Sequence, residues 1–261
     1  VNSSGRYLED ENGNPFFYLA DTAWNLFHRC TLDEAKWYLE KRKAQGYNTI
    51  QAVVLAELDG LSTPNRNGDY IFTDRDPLKP NEPYFEHIDK VVAAANQRGI
   101  VVAMLPSWGK YLTHWGWKGA NTFPEEDVVI NEKNAGGYGA FLARRYTDAD
   151  LIWVLGGDRW SRPTEGAWDA MAEGIKSIDQ NHLMTYHPMG WPYDGGSSAT
   201  VMHQKAWLDF NMLQSGHRWS HPNYNMIMAE RAKWPVKPVI AGEPRYENIT
   251  HFFRKEGPVM D

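Results

Sequence analysis

Apolar and polar positions along this chain fall into repeating blocks, each a short apolar run followed by a longer segment with helical spacing. "FFYLADTAW" (16–24) follows the turn "DENGNP" and reads as a first strand. Thr31 then caps a helix over 32–46, with acids early, bases late and Gly46 at its end, the order a helix dipole favours. "YNTIQAVVL" (47–55) reads as the second strand. A helix over 84–99 leads to the strand "IVVAMLPSW" (100–108), and a helix over 135–149 leads to "LIWVLGGD" (151–158). A helix over 165–179 precedes "LMTYHPM" (183–189). "DFNMLQSGH" (209–217), a helix over 224–234 and "KPVIAGEP" (237–244) complete the series. The polar stretch 59–83 is too long for a simple connection and predicts an elaborated active-site loop.

Strands that are apolar on both sides, alternating with helices, predict a parallel sheet covered by helices. Seven such units fit an α/β fold of the (β/α)8 TIM-barrel type. A doubly wound sheet fits less well, because no strand leads into a glycine-rich phosphate loop. After the seventh strand, "RYENITHFFRKEGPVMD" has room for part of a helix but shows no eighth strand. The expectation is therefore a barrel incomplete at its C-terminus, or one closed by another segment, with residues 1–261 forming one domain.

Composition narrows the partners. The chain has 261 residues and a net charge of −6, which argues against a nucleic-acid partner. No run approaches the roughly 20 apolar residues of a membrane span. Cys30 is the single cysteine, so no internal disulfide is possible, and nothing beside it suggests a thiol nucleophile. The opening "VNSSGRYLED" carries no signal peptide, which leaves the cellular address open. The 12 tryptophans and 13 tyrosines change the picture more, because many fall in stretches such as "SWGKYLTHWGW" and "GWPYDGG", outside the periodic segments. Flat rings beside polar groups suit an oligo- or polysaccharide, although such rings also serve to pack loops onto a barrel.

A barrel gathers its chemistry at the C-terminal ends of its strands. In chain order these ends supply Asp21, Trp24 and Asn25; Gln51 and Glu57; Ser107, Trp108 and His114; Asp158 and Arg159; Tyr186 and His187; Gln214, His217 and Arg218; and Glu243 and Arg245. Asp158 and Glu243 each follow a buried run and a glycine. Across a barrel mouth, such a pair suits glycoside hydrolysis: one carboxyl protonates the leaving oxygen, and the other attacks the anomeric carbon or activates water. The division of labour requires their pKa values to be pushed apart. Salt-bridging or helix-capping groups at strand ends are the plainer alternative for each residue taken alone. His187 and His217 are expected to donate hydrogen bonds to substrate hydroxyls, or else to be satisfied inside the barrel. His114, His187, His203, His217 and His221 show no HxH or HExxH spacing, so no metal and no cofactor is expected. A carbohydrate-binding barrel without turnover and a metal-dependent barrel hydrolase remain as alternatives.

"FFYLADTAWNLF", "YNTIQAVVL", "LIWVLGGDRW" and "KPVIAGEPRYE" together resemble the apiosidase-like glycoside hydrolases of family 140, a group often labelled endoglucanases. The resemblance runs over essentially the whole chain, and "GGD" at the fourth strand, in place of the wider clan's Asn-Glu, is part of it. It implies a retaining mechanism with Asp158 as acid/base and Glu243 as nucleophile. It also implies a plant cell-wall substrate, the bond between apiose and a galacturonate backbone in rhamnogalacturonan-II, and an extracytoplasmic location. Asp21, Trp24, Gln51, Trp108, His114, Arg159, His187, Gln214, His217 and Arg245 are the candidate substrate-binding residues. Arg159, Arg218, Arg245 and Lys110 are the cations available to meet a galacturonate carboxylate.

Overall fold

Strands without polar alternation need cover on both faces, and the fold supplies it. The computed structural model describes residues 1–115, 124–190, 193–217, 222–253, 256 and 259–260. A small antiparallel hairpin, β1 (Leu8–Glu9) with β2 (Pro15–Phe16), opens the chain. Five parallel strands follow in consecutive order: β3 (Ala20–Thr22), β4 (Thr49–Leu55), β5 (Val101–Ser107), β6 (Leu151–Gly156) and β7 (Met184–His187). Another parallel pair, β8 (Asn211–Gln214) with β9 (Val239–Glu243), carries the winding on. Asp209 donates its amide to the Met184 carbonyl at 2.8 Å, and Thr185 Oγ1 donates to the Phe210 carbonyl at 2.6 Å, so β8 runs beside β7. The order is that of a (β/α)8 barrel with seven of its strands. Among the described residues no eighth parallel strand follows; β10 (Ile249–Thr250) and β11 (Val259–Met260) pair antiparallel.

The helices cover the outer face. After the short α1 (Leu26–Arg29), α2 (Leu32–Ala44) begins with a complete capping box: Thr31 Oγ1 accepts from the Glu34 amide, and the Glu34 carboxylate accepts from the Thr31 amide. α3 (Glu82–Asn96), α4 (Ala135–Tyr146) and α5 (Glu165–Lys176) turn apolar faces inward, through residues such as Phe85, Ile88, Leu142 and Met171. α6 (Asn223–Arg231) precedes β9.

Three sequence expectations change. The run 16–24 is a strand only over Ala20–Thr22, because Phe17 is 77% exposed and the chain before it belongs to the hairpin. α3 starts before residue 84, since Pro83 suits a helix's first turn, where its missing N–H costs nothing. The stretch 59–83 packs Leu61, Ile71 and Phe72 into the core, and none of its residues lines the cavity that holds Asp158 and Glu243.

Candidate active site

The turn after β6 explains why the strand ends "GGD". Gly156, Gly157 and Asp158 take φ values of 90°, 125° and 49°, three consecutive residues in the region that L side chains avoid. A Cβ on Gly156 would stand 2.2 Å from the His187 carbonyl oxygen, and one on Gly157 would stand 2.9 Å from the Trp108 ring. The Gly157 amide donates to the His187 carbonyl at 3.0 Å, and its carbonyl accepts from the Gly109 amide at 3.1 Å. The backbone is thus wedged between the ends of β5 and β7, and the next side chain, Asp158, is turned into the barrel mouth.

There it meets Glu243, the last residue of β9. Both line one cavity of about 440 Å³ with Trp24, Glu57, Trp108, Gln214, His217 and Tyr246 among its other walls. Asp158 Oδ1 accepts from the Gly190 amide at 3.3 Å, and Oδ2 lies 3.7 Å from Arg159 Nη1. Burial, and then the negative charge of Glu243, push the Asp158 carboxyl from 3.8 up to about 7, against the pull of Arg159 and His187. Glu243 goes the other way. Burial alone would raise it, but contacts from His187 and Tyr246 and the charges of His187 and His217 more than offset that, and its carboxyl sits below the usual value. His187 Nε2 is 2.9 Å from Glu243 Oε2. Tyr246 donates its hydroxyl to the other oxygen, and His217 Nε2 is 3.8 Å from it. One carboxyl is therefore kept protonated near neutrality while its neighbour is kept ionised. Trp108 Nε1, Gln214 Oε1 and His217 Nδ1 are buried without protein partners and line the same cavity, a donor and acceptor set suited to hydroxyl groups.

The description "Apiosidase-like, catalytic domain" matches residues 2–260. This chain belongs to the apiosidase-like family. The apiosidase-like domain resembles a glycoside hydrolase family 5 protein from Bacteroides vulgatus, at 39% identity and a TM-score of 0.81, over 95% of this chain and 54% of that one. Another solved structure, titled only as a glycoside hydrolase, is 37% identical with a TM-score of 0.81, over 96% of this chain and 57% of its own. The chain therefore spans about half the length of these two structures. An endo-1,4-beta-mannanase from Rhizomucor miehei shares 16% identity and a TM-score of 0.61, over 94% of this chain and 81% of its own, a likeness of fold alone. The comparison with curated proteins finds no match. The chain is thus a barrel domain of glycoside hydrolase type.

Against that family background, the candidate residues of the apiosidase-like domain divide into those at the cavity and those held elsewhere. Trp24, Trp108, Gln214 and His217 line it beside the two carboxylates. Asp21 does not: strand alternation turns it outward, where Tyr38 and Arg42 of α2 bind its carboxylate. Gln51 points inside the barrel below the cavity and donates to the Gly242 carbonyl at 2.7 Å, tying β4 to β9. His187 is fully buried behind Glu243, so its partner is the carboxylate rather than a substrate hydroxyl. His114 stacks on Trp115, outside the cavity wall.

The cations are likewise engaged or displaced. Arg159 is buried, donating to Glu57 Oε1 and to the Asp158 carbonyl, both at 2.6 Å. Lys110 lies 3.7 Å from Asp127 Oδ2. Arg245 is exposed and not on the cavity wall. Arg218 and His221 fall outside the described residues. No lysine or arginine is among the described residues that line the cavity. Of the other strand-end residues, Asn25 lines a separate surface groove, Ser107 donates to the Trp108 carbonyl, and Tyr186 is buried against Trp168. Cys30 borders the same groove as Asn25, and burial followed by the Glu34 charge raises its thiol, which keeps it protonated and poorly nucleophilic.

Tyr246 and Glu57 were not among the candidate substrate-binding residues. Glu57 was visible as a strand-end carboxylate. Tyr246 gave no signal of its own, since its place depends on how the chain folds back after β9. Among the described residues, no helix is long and apolar enough to cross a membrane.

Proposed function

We propose that this protein is a retaining glycoside hydrolase, with Asp158 as acid/base and Glu243 as nucleophile. The observation that carries the reading is two buried carboxylates on one cavity wall in unlike surroundings, burial raising Asp158 to about 7 while His187 and Tyr246 contacts hold Glu243 below its usual value. In the first step Asp158 gives its proton to the leaving glycosidic oxygen while a Glu243 oxygen bonds to the anomeric carbon, so the aglycone departs as an alcohol. In the second step ionised Asp158 takes a proton from water, whose oxygen bonds to the anomeric carbon and releases Glu243 as a carboxylate. Trp24 and Trp108, whose ring centroids are 5.1 Å apart, offer apolar surface to a sugar's C–H face, and Gln214 and Trp108 Nε1 offer partners for its hydroxyls.

The substrate we propose is a plant cell-wall glycan, and more narrowly the apiose–galacturonate bond of rhamnogalacturonan-II, in keeping with the family to which the chain belongs. An enzyme acting on such a polymer works outside the cytoplasm. The test is a digest panel of pectic and hemicellulosic oligosaccharides with the released sugar identified, repeated with Asp158→Asn and Glu243→Ala. Near wild-type turnover by either variant, properly folded, would sink the assignment.

A further inference from the structure

Tyr246 lies three residues beyond Glu243, where the chain has already left β9. Its hydroxyl donates to Glu243 Oε1. The same oxygen accepts from Trp24 Nε1 at 3.0 Å, a contact between residues 222 positions apart. An indole nitrogen can only donate, so this contact makes the tyrosine oxygen an acceptor on that side. The tyrosine's single proton is left directed at the carboxylate. His217 packs against the Tyr246 ring at 4.6 Å between centroids, which restricts the ring further. Burial, and then the Glu243 charge, raise the Tyr246 hydroxyl, so it stays a donor throughout the working pH range.

We infer that Trp24 and Tyr246 form a two-step tie from the end of the first barrel strand to the end of the seventh, which aims one proton at Glu243 and holds that side chain turned for attack on the anomeric carbon. The tie is a matter of geometry; the role it gives Glu243 rests on the hydrolase reading. Tyr246 and Trp24 are positioning residues in this scheme. The other titratable groups facing Glu243 are His187 at the end of β7, His217 after β8 and Asp158 after β6. They are unchanged in the variants below and serve as a common background.

Losing a hydrogen bond to a charged group moves its titration by roughly one to two pH units. Tyr246→Phe is therefore expected to move the acidic limb of the kcat/KM profile up by about one to two pH units and to lower kcat about tenfold or more, with KM changing less. Trp24→Phe keeps an aromatic ring but loses the donor; it should move the limb the same way by a smaller amount, and add little once Tyr246 is Phe. A merely structural role would lower activity and leave the limb in place, and that result would overturn the tie. A second arm does not need turnover: a urea-unfolding double-mutant cycle of Tyr246→Phe with Glu243→Gln on the full chain. Coupling at pH 7 supports the tie, and no coupling at pH 7 overturns it. Retained turnover in Glu243→Gln would sink the hydrolase reading instead, while the cycle still judges the tie.

Discussion

Replacing Asp158 by asparagine should make the protein more stable while removing its proposed activity, and the gain should depend on pH in a defined way. The wild-type carboxyl has a folded-state pKa of about 7 against an ordinary 3.8. Its folded pKa is raised, so the unfolded chain loses this proton first. Stability is unaffected below 3.8, declines as pH rises from there to about 7, and stays lower above that. At 1.36 kcal/mol per pH unit, the full loss is about 4 kcal/mol by pH 8 and roughly 1.5 kcal/mol by pH 5. Asparagine has the same shape and no proton to lose. The variant's advantage should therefore be about 2.5 kcal/mol larger at pH 8 than at pH 5, or roughly 5–10 °C in melting midpoint for a chain of this size. Other titrating groups are common to both proteins and largely cancel. Calorimetry or urea unfolding at the two pH values reads the difference. An advantage equal at both pH values, or larger at pH 5, would mean that Asp158 is not a buried, disfavoured charge, and the acid/base assignment would lose its physical basis.

The same value places the alkaline limb of the kcat/KM profile near pH 7, because activity requires the proton on Asp158; a limb above pH 9 would contradict this. Gly156→Ala should cost about 3 kcal/mol or more, since its Cβ would meet the His187 carbonyl at a positive φ; a loss under about 1 kcal/mol in urea unfolding would show that the turn can relax. Asp21→Asn should leave turnover within about twofold, because Asp21 is bound to Tyr38 and Arg42 away from the cavity; a large kcat loss would restore it to the site. Asp179 is buried; burial would raise its carboxyl, but bonds from Trp153 and His182 hold it below the usual value. Asp179→Asn should cost about 2 kcal/mol at neutral pH, and the difference should shrink as pH falls below the ordinary 3.8 and through the lowered folded-state pKa, where the wild-type group loses its advantage; a cost that does not fall below pH 3.8 would refute the linkage.

The central strands were readable because burial on both faces leaves an unbroken apolar run, as in Ala52–Leu55 and Leu151–Leu155. The Asp158–Glu243 pair was readable for a related reason: a carboxylate directly after such a run has few places to go but the barrel mouth. Asp21 misled because a short strand such as β3 gives too few residues to establish which face is inward, and one position decides between the cavity and α2. Gln51 and His187 are expected at the substrate, but neither is among the residues lining the cavity, because depth inside a barrel is not encoded by alternation. Whether an inward side chain reaches a ligand or ties strands together depends on its layer. Tyr246 was invisible because its contact with Trp24 spans nearly the whole chain and is made by a segment with no periodic pattern.

The left-handed turn at 156–158 also restricts how this cavity can be redesigned. Two successive positions admit no side chain, so neither offers a foothold for new contacts beside the acid. Lengthening Asp158 to glutamate would not be a mild swap either, since the extra methylene would carry the carboxyl beyond a point fixed by a backbone that cannot recoil. Libraries meant to alter which sugar is accepted are better placed on Gln214, which lines the cavity and whose side-chain oxygen is tied to nothing in the protein.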